Sequence, residues 1–131
     1  MKLHHVGLAV TNLEEAITLY RDVFGAELID RQENEKEGLE AAFLKVGDAE
    51  LELMSPLRED SPVGKFVAKR GPGMHHVAFG VSDLDRSLGE ARQAGLELID
   101  AEPRVGMHGS RIAFIHPKTT GGVLTELVEI D

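Results

Sequence analysis

Two histidine pairs, His4-His5 and His75-His76, and two glutamates, Glu52 and Glu126, are the residues of this chain whose types and spacing could do chemistry. Side chains on a β-strand alternate between its two faces. In His4-His5-Val6-Gly7-Leu8-Ala9-Val10, His5 therefore shares a face with Gly7 and Ala9, and His4 goes with the larger apolar residues. In His75-His76-Val77-Ala78-Phe79-Gly80-Val81, His76 shares a face with Ala78 and Gly80. Such small neighbours leave volume in front of His5 and His76, as a ligand site needs and a packed core does not. Glu126 falls on the strand face of Leu124, Val128 and Ile130, where an unpaired carboxylate would be costly to bury. A bound cation is the natural compensation. Glu52 holds the matching place in the first half; Glu50 shares its face and is the rival ligand, but only Glu52 precedes a leucine in register with Glu126-Leu127.

The chain has no cysteine, so a metal must be held by imidazole and carboxylate. That donor set suits Co, Mn, Ni, Zn or Fe. A pseudo-twofold relation between the halves would gather His5, Glu52, His76 and Glu126. Four protein ligands leave two positions on an octahedral ion for water or for two substrate oxygens. A lone histidine on a strand is usually structural, and it is the repetition of the same residue types that argues for ligation. His4 and His75 are read as core or supporting residues.

The elements that must position these side chains follow from the same duplication. Glu27-Leu28-Ile29-Asp30 recurs as Glu97-Leu98-Ile99-Asp100, Ala42-Phe43-Leu44 is answered by Ala113-Phe114-Ile115, and Glu52-Leu53 by Glu126-Leu127, at offsets of 70 to 74 residues. Each copy reads βαβββ. The first has a strand at 3–10, then a helix with Asn12 as N-cap and Leu13, Ile17, Tyr20 and Phe24 at helical spacing until Gly25. Strands at about 27–33, 40–46 and 49–54 follow, the last two joined by Gly47-Asp48. The second copy predicts a strand at 75–81, a helix from Asp83 to about Ala94 ended by Gly95, and strands at 96–101, 111–116 and 122–130. Pro56 closes the first copy, and Ser61-Pro62 starts a short linker helix, Val63 to Lys69, that Gly71-Pro72-Gly73 breaks. The expected organisation is one α+β domain: module 1–56, linker 57–73 and module 74–131.

A length of 131 residues suits a single core built from two half-domains. The net charge of −9 argues against general binding to nucleic acid or to an anionic membrane. An anionic ligand then needs a local cluster of Lys and Arg. No apolar run approaches the roughly 20 residues of a membrane span. The chain enters its first strand pattern without a signal peptide, so the expected location is cytoplasmic.

His4 to Val10, Glu50-Leu51-Glu52-Leu53-Met54-Ser55-Pro56, His75 to Phe79, and His116-Pro117-Lys118 through Gly121-Gly122-Val123-Leu124-Thr125-Glu126-Leu127 resemble the methylmalonyl-CoA epimerases of the vicinal oxygen chelate (glyoxalase, bleomycin resistance, dioxygenase) superfamily. The resemblance runs over essentially the whole chain, including the linker from Pro62 to Lys69. It implies paired βαβββ modules forming a cupped mixed sheet around a divalent ion, commonly cobalt, with His5, Glu52, His76 and Glu126 as ligands. The implied reaction interconverts (2R)- and (2S)-methylmalonyl-CoA by abstraction of the α proton through a metal-stabilised enolate. Glu126 is one candidate base. Some relatives supply a second glutamate three residues beyond the Gly38 position, but here that residue is Ala41. Glu40 is adjacent, on the other face of a regular strand, and stands as the second candidate, with Glu37 or a metal-bound water as substitutes. Lys65 and Lys69, with Arg70 and Arg58 nearby, could meet the phosphates of CoA, and Arg111 or Lys118 the substrate carboxylate. The resemblance also implies a homodimer.

A glyoxalase I-type lactoylglutathione lyase is the nearest rival, with the same repeat and ligand set. A metal-free small-molecule-binding module of the same fold would leave four matched donors unexplained. A ring-cleaving dioxygenase fits less well, its iron typically having two histidines and one glutamate on a chain often twice this length.

Overall fold

Three N-caps fix where the helices begin. In a computed structural model describing residues 1–131, the side chains of Asn12, Ser61 and Asp83 accept hydrogen bonds from the backbone N–H groups of Glu15, Gly64 and Arg86. Each satisfies a donor that a helix start leaves without a partner. They open α1 (Leu13–Thr18), α2 (Pro62–Arg70) and α3 (Leu84–Gln93). The strands are β1 (Lys2–Ala9), β2 (Glu27–Asn34), β3 (Leu39–Val46), β4 (Ala49–Pro56), β5 (Gly73–Val81), β6 (Arg104–Val105), β7 (Arg111–Ile115) and β8 (Thr125–Glu129). No helix is long and apolar enough to cross a membrane.

The chain divides into two compact units, His5–His75 and a second made of His76–Asp131 with Met1–His4. In the first, the strands run β2-β3-β4-β1, with β3 antiparallel to β2 and β4, and β1 parallel to β4. In the second the order is β5-β8-β7-β6, with β5 parallel to β8 and the remaining pairs antiparallel. The same unit is thus built twice, and each copy is α+β with a mixed sheet.

Strand alternation gives each sheet two different faces. In the first unit Leu53, Ala42 and Leu44 turn toward α1 and close a core with Leu13 and Ile17. In the second, Leu127, Ala113, Ile115 and Val81 pack with Leu84, Leu88 and Ala91 of α3. Leu44, Leu53 and Leu84 are wholly buried. The opposite faces carry His5 and Glu52 in the first unit and His76 and Glu126 in the second.

Three expectations change. Phe24, expected on the apolar stripe of the first helix, is 68% exposed. The helix passes into a π-helical segment at Leu19–Val23, with Phe24 N–H donating to the Leu19 carbonyl, and the extra residue per turn rotates Phe24 off the core. The strand expected at 96–101 is reduced to a single bridge, Leu98 to Ile115, and pairing resumes only at β6. There the Asp100 carboxylate takes the Phe114 N–H at 2.9 Å, which a neighbouring backbone carbonyl would otherwise accept. The last strand begins at Thr125 rather than 122, because Gly121 and Gly122 hold φ values of 71° and 90° in a turn.

The core assignment has a direct test. Leu53→Ala should lower unfolding stability by about 3 kcal/mol, the usual scale for emptying a buried leucine site, whereas Asp83→Ala should cost about 1 kcal/mol through its cap. Denaturant titration measures both; a loss below about 1 kcal/mol for Leu53→Ala would show that its face of the sheet is not the core.

Candidate metal centre

Each unit buries one histidine beside one glutamate. On β1, His5 is 7% exposed, and its Nε2 lies 3.4 Å from Oε1 of Glu52 on β4, itself 8% exposed. On β5, His76 is 4% exposed, and its Nε2 lies 3.3 Å from Oε1 of Glu126 on β8, 6% exposed. Two donors that both reach an ion at 2.0–2.2 Å stand roughly 3.0–3.5 Å apart, so each pair already has the spacing of adjacent ligands. The buried donors His5, Glu52 and His76 are a set that suits a divalent metal ion.

The surroundings of each pair are also repeated. Phe43 lies directly across from Glu52 in the β3–β4 register, and Phe114 across from Glu126 in the β7–β8 register. The Phe114 ring meets His76 edge-on with centroids 5.6 Å apart. Ala9 and Ala78 beside the histidines are fully buried. The small residue at Gly80 does not leave open volume, as expected from its size alone: a Cβ there would meet Ile130 Cδ1 at 2.9 Å, so the room is taken by that side chain.

Two of the expected site residues stand on the wrong face. Glu40 pairs with Ser55 and shares the α1 side with Ala42 and Leu53, away from Glu52. There its carboxylate accepts from Arg31 Nε at 2.9 Å, and Arg31 also pairs with Glu14 of α1. Ala41, which does share the Glu52 face, is fully buried and offers no base. Arg111 sits on the α3 side of β7 with Ala113, opposite Phe114 and Glu126. It is bound by Glu129 of β8 and by Asp85 in the first turn of α3 at 3.1 Å each. The hydrogen bonds it donates to Asp85, and then to Glu129, raise its pKa above the ordinary arginine value. Arg111 is therefore a strut between sheet and helix, not a residue facing the His76–Glu126 pair.

Lys65 and Lys69 are exposed on α2, and Arg70 lies over the Phe66 ring at 5.7 Å. Arg58 holds the turn before β3 through the Glu35 carbonyl at 2.9 Å. Lys118 is exposed in the Pro117–Thr119 turn, where its N–H donates to His116 Nδ1 at 2.9 Å. Arg104, which sequence reading passed over, lies on the Glu126 face: it pairs with Ile112 across β6–β7, and its guanidinium is 5.6 Å from the centroid of the Phe114 ring. A short strand beyond an irregular segment has no readable parity, so nothing in the sequence marked it.

Residues 4–114 match the family model described as the Glyoxalase/Bleomycin resistance protein/Dioxygenase superfamily, and the chain belongs to that superfamily. Within it, the chain is similar to several methylmalonyl-CoA epimerases. The crystal structure of methylmalonyl-CoA epimerase from Mycobacterium tuberculosis shares 45% identity, covering 99% of this chain and 88% of that one, with a TM-score of 0.92. A variant of the Streptomyces coelicolor methylmalonyl-CoA epimerase, solved in complex with 2-nitronate-propionyl-CoA, shares 42% identity over 98% of this chain and 94% of that one, with a TM-score of 0.93. The mitochondrial methylmalonyl-CoA epimerase of Mus musculus is 36% identical over 127 residues, 96% of this chain and 71% of the mouse protein.

Proposed function

We propose that this chain is a metal-dependent methylmalonyl-CoA epimerase, and that His5, Glu52, His76 and Glu126 together hold one divalent ion within a single two-module domain. The observation that carries the reading is the buried His–Glu pair repeated in both modules, in a chain up to 45% identical to proteins named for that reaction. When bound, the ion supplies positive charge for the two substrate oxygens and for the negative charge that develops as the α proton leaves. Cobalt is the first metal to test.

The protein's own part is to position the substrate and move the proton. Glu126 is the carboxylate proposed to take it, set in a surround of Phe114, Ala78 and Val128 that excludes water from the reacting carbon. Neither Glu40 nor Ala41 provides a second base from β3. The proton returned on the opposite side is therefore assigned to water or to Glu37, in the turn before that strand. Lys65 and Lys69 on α2, together with Lys118, are the proposed contacts for the anionic groups of the CoA ester. We further propose a cytoplasmic homodimer.

The metal assignment predicts that Co²⁺ raises the midpoint of thermal unfolding, and that His5→Ala and His76→Ala, one in each module, each abolish most of that rise. A full response in either variant would remove that histidine from the ligand set. For the reaction, the Co²⁺-loaded protein is incubated with (2R)-methylmalonyl-CoA in deuterium oxide, following epimer composition and α-deuterium by NMR. Epimerisation with exchange is expected; Glu126→Gln should lower kcat at least 100-fold, on the scale of a lost general base, and Glu40→Gln should change it less than about twofold. Neither epimerisation nor exchange, with metal bound, would sink the proposal and direct the next assay to the hemithioacetal of methylglyoxal and glutathione.

A further inference from the structure

The two modules match in their metal-binding residues and differ in one charge beside them. In the first, Asp30 pairs with Phe43 and Gln32 with Ala41 across β2–β3, and Gln32 Nε2 donates to the Asp30 carboxylate at 2.7 Å. The second module repeats the aspartate: Asp100 accepts from the Phe114 N–H, and its other oxygen takes a hydrogen bond from a side chain paired with Ile112. That side chain is Arg104, with Nε 3.2 Å from Asp100 Oδ1. Where one module has a neutral amide, the other has a guanidinium.

Arg104 is placed for more than a surface pair. Its guanidinium stacks over Phe114, and Phe114 touches His76 edge-on and lies directly across from Glu126. One aromatic ring thus separates it from the His–Glu pair. Its side chain is 45% exposed, so it meets ligand from the solvent side, and Asp100 and the ring fix the plane of its fork. Arg111, the arginine of the neighbouring strand, is committed to the other face.

We infer that Arg104 is a specificity-determining residue that binds the carboxylate of a carboxyacyl-CoA ligand. The identity of the ligand rests on the function proposed above; the placement of the cation does not. A guanidinium suits a carboxylate because its paired N–H groups match the two oxygens. In the other source of anionic oxygen, the phosphates of CoA, Arg104 would recognise every acyl-CoA alike.

Equilibrium binding by calorimetry separates these cases without requiring turnover. The full chain with saturating Co²⁺ is titrated with malonyl-CoA and with butyryl-CoA, which share the CoA moiety and differ in the carboxylate. Arg104→Gln should weaken malonyl-CoA about tenfold, the scale of a charge-assisted hydrogen bond, and butyryl-CoA less than twofold, with Arg104→Lys recovering part of the loss. Equal weakening of both ligands would assign Arg104 to phosphate or to structure and overturn the inference, as would no weakening of either. A wild type that prefers malonyl-CoA through Arg104 yet fails to exchange the α proton would end the epimerase reading and leave this one standing. Thermal unfolding of each variant checks that the fold is intact.

Discussion

A carboxylate taken out of water costs several kcal/mol unless something of opposite charge or strong hydrogen-bonding capacity accompanies it. This chain bears that cost twice, at Glu52 and Glu126, each at most 8% exposed and each against an imidazole nitrogen. An aromatic ring stands directly across the strand from both, which lowers the local polarity further. A sequence selected only for stability would place leucine there, as it does one residue later at Leu53 and Leu127. The buried pairs are the donors proposed above for a cation, and the strands of each module have to be shaped around them.

The means of shaping them is the alternation of the strands. One side of each sheet carries the donors, and the other carries the leucines that seat a helix. The helix side also has a recurrent ionic tie. Arg31 links Glu40 of the sheet to Glu14 in the first turn of α1, and Arg111 links Glu129 to Asp85 in the first turn of α3. Acidic residues in a first helical turn are already favoured by the backbone dipole, so each arginine joins a charge the helix wants to a strand it packs on. Partly exposed pairs of this kind contribute little stability singly, and their effect is chiefly to orient the helix on the sheet. Such commitments are why a charged residue near the donors in sequence can be remote from them in chemistry.

How much was legible followed from the same physics. The histidine–glutamate set could be read because strands β1, β4, β5 and β8 are regular, and parity carries from one residue to the next. Glu40 was readable as facing away from Glu52 by that rule, and it does. Arg111 is a harder case, since the sequence marks its strand but not its pairing partner, and the contact with Glu129 puts it on the face away from Glu126. Phe24 looked like core because helical spacing was continued through a segment that winds as a π-helix. Arg104 was invisible for a stronger reason. The strand expected at 96–101 breaks up where the Asp100 side chain replaces a backbone acceptor, and parity cannot be carried across such a break.

That break is also where the duplication stops being symmetric. The proposed metal ion has no handedness to satisfy, and two copies of one His–Glu pair would be a sufficient answer to it. A ligand with a thioester on one side and a carboxylate on the other presents different groups in different directions, so the residues around the donors have to differ between copies. They do: Ala41 and Met54 in the first module answer to Ile112 and Val128 in the second, and Gln32 to Arg104. The branched Ile112 and Val128 and the cation fall in the same copy, beside Glu126 rather than Glu52. Duplication supplies the shared donors, and the irregular segment before β6, freed from the ladder, lets one copy acquire a charge that strand β2, paired with β3, does not carry at the matching place.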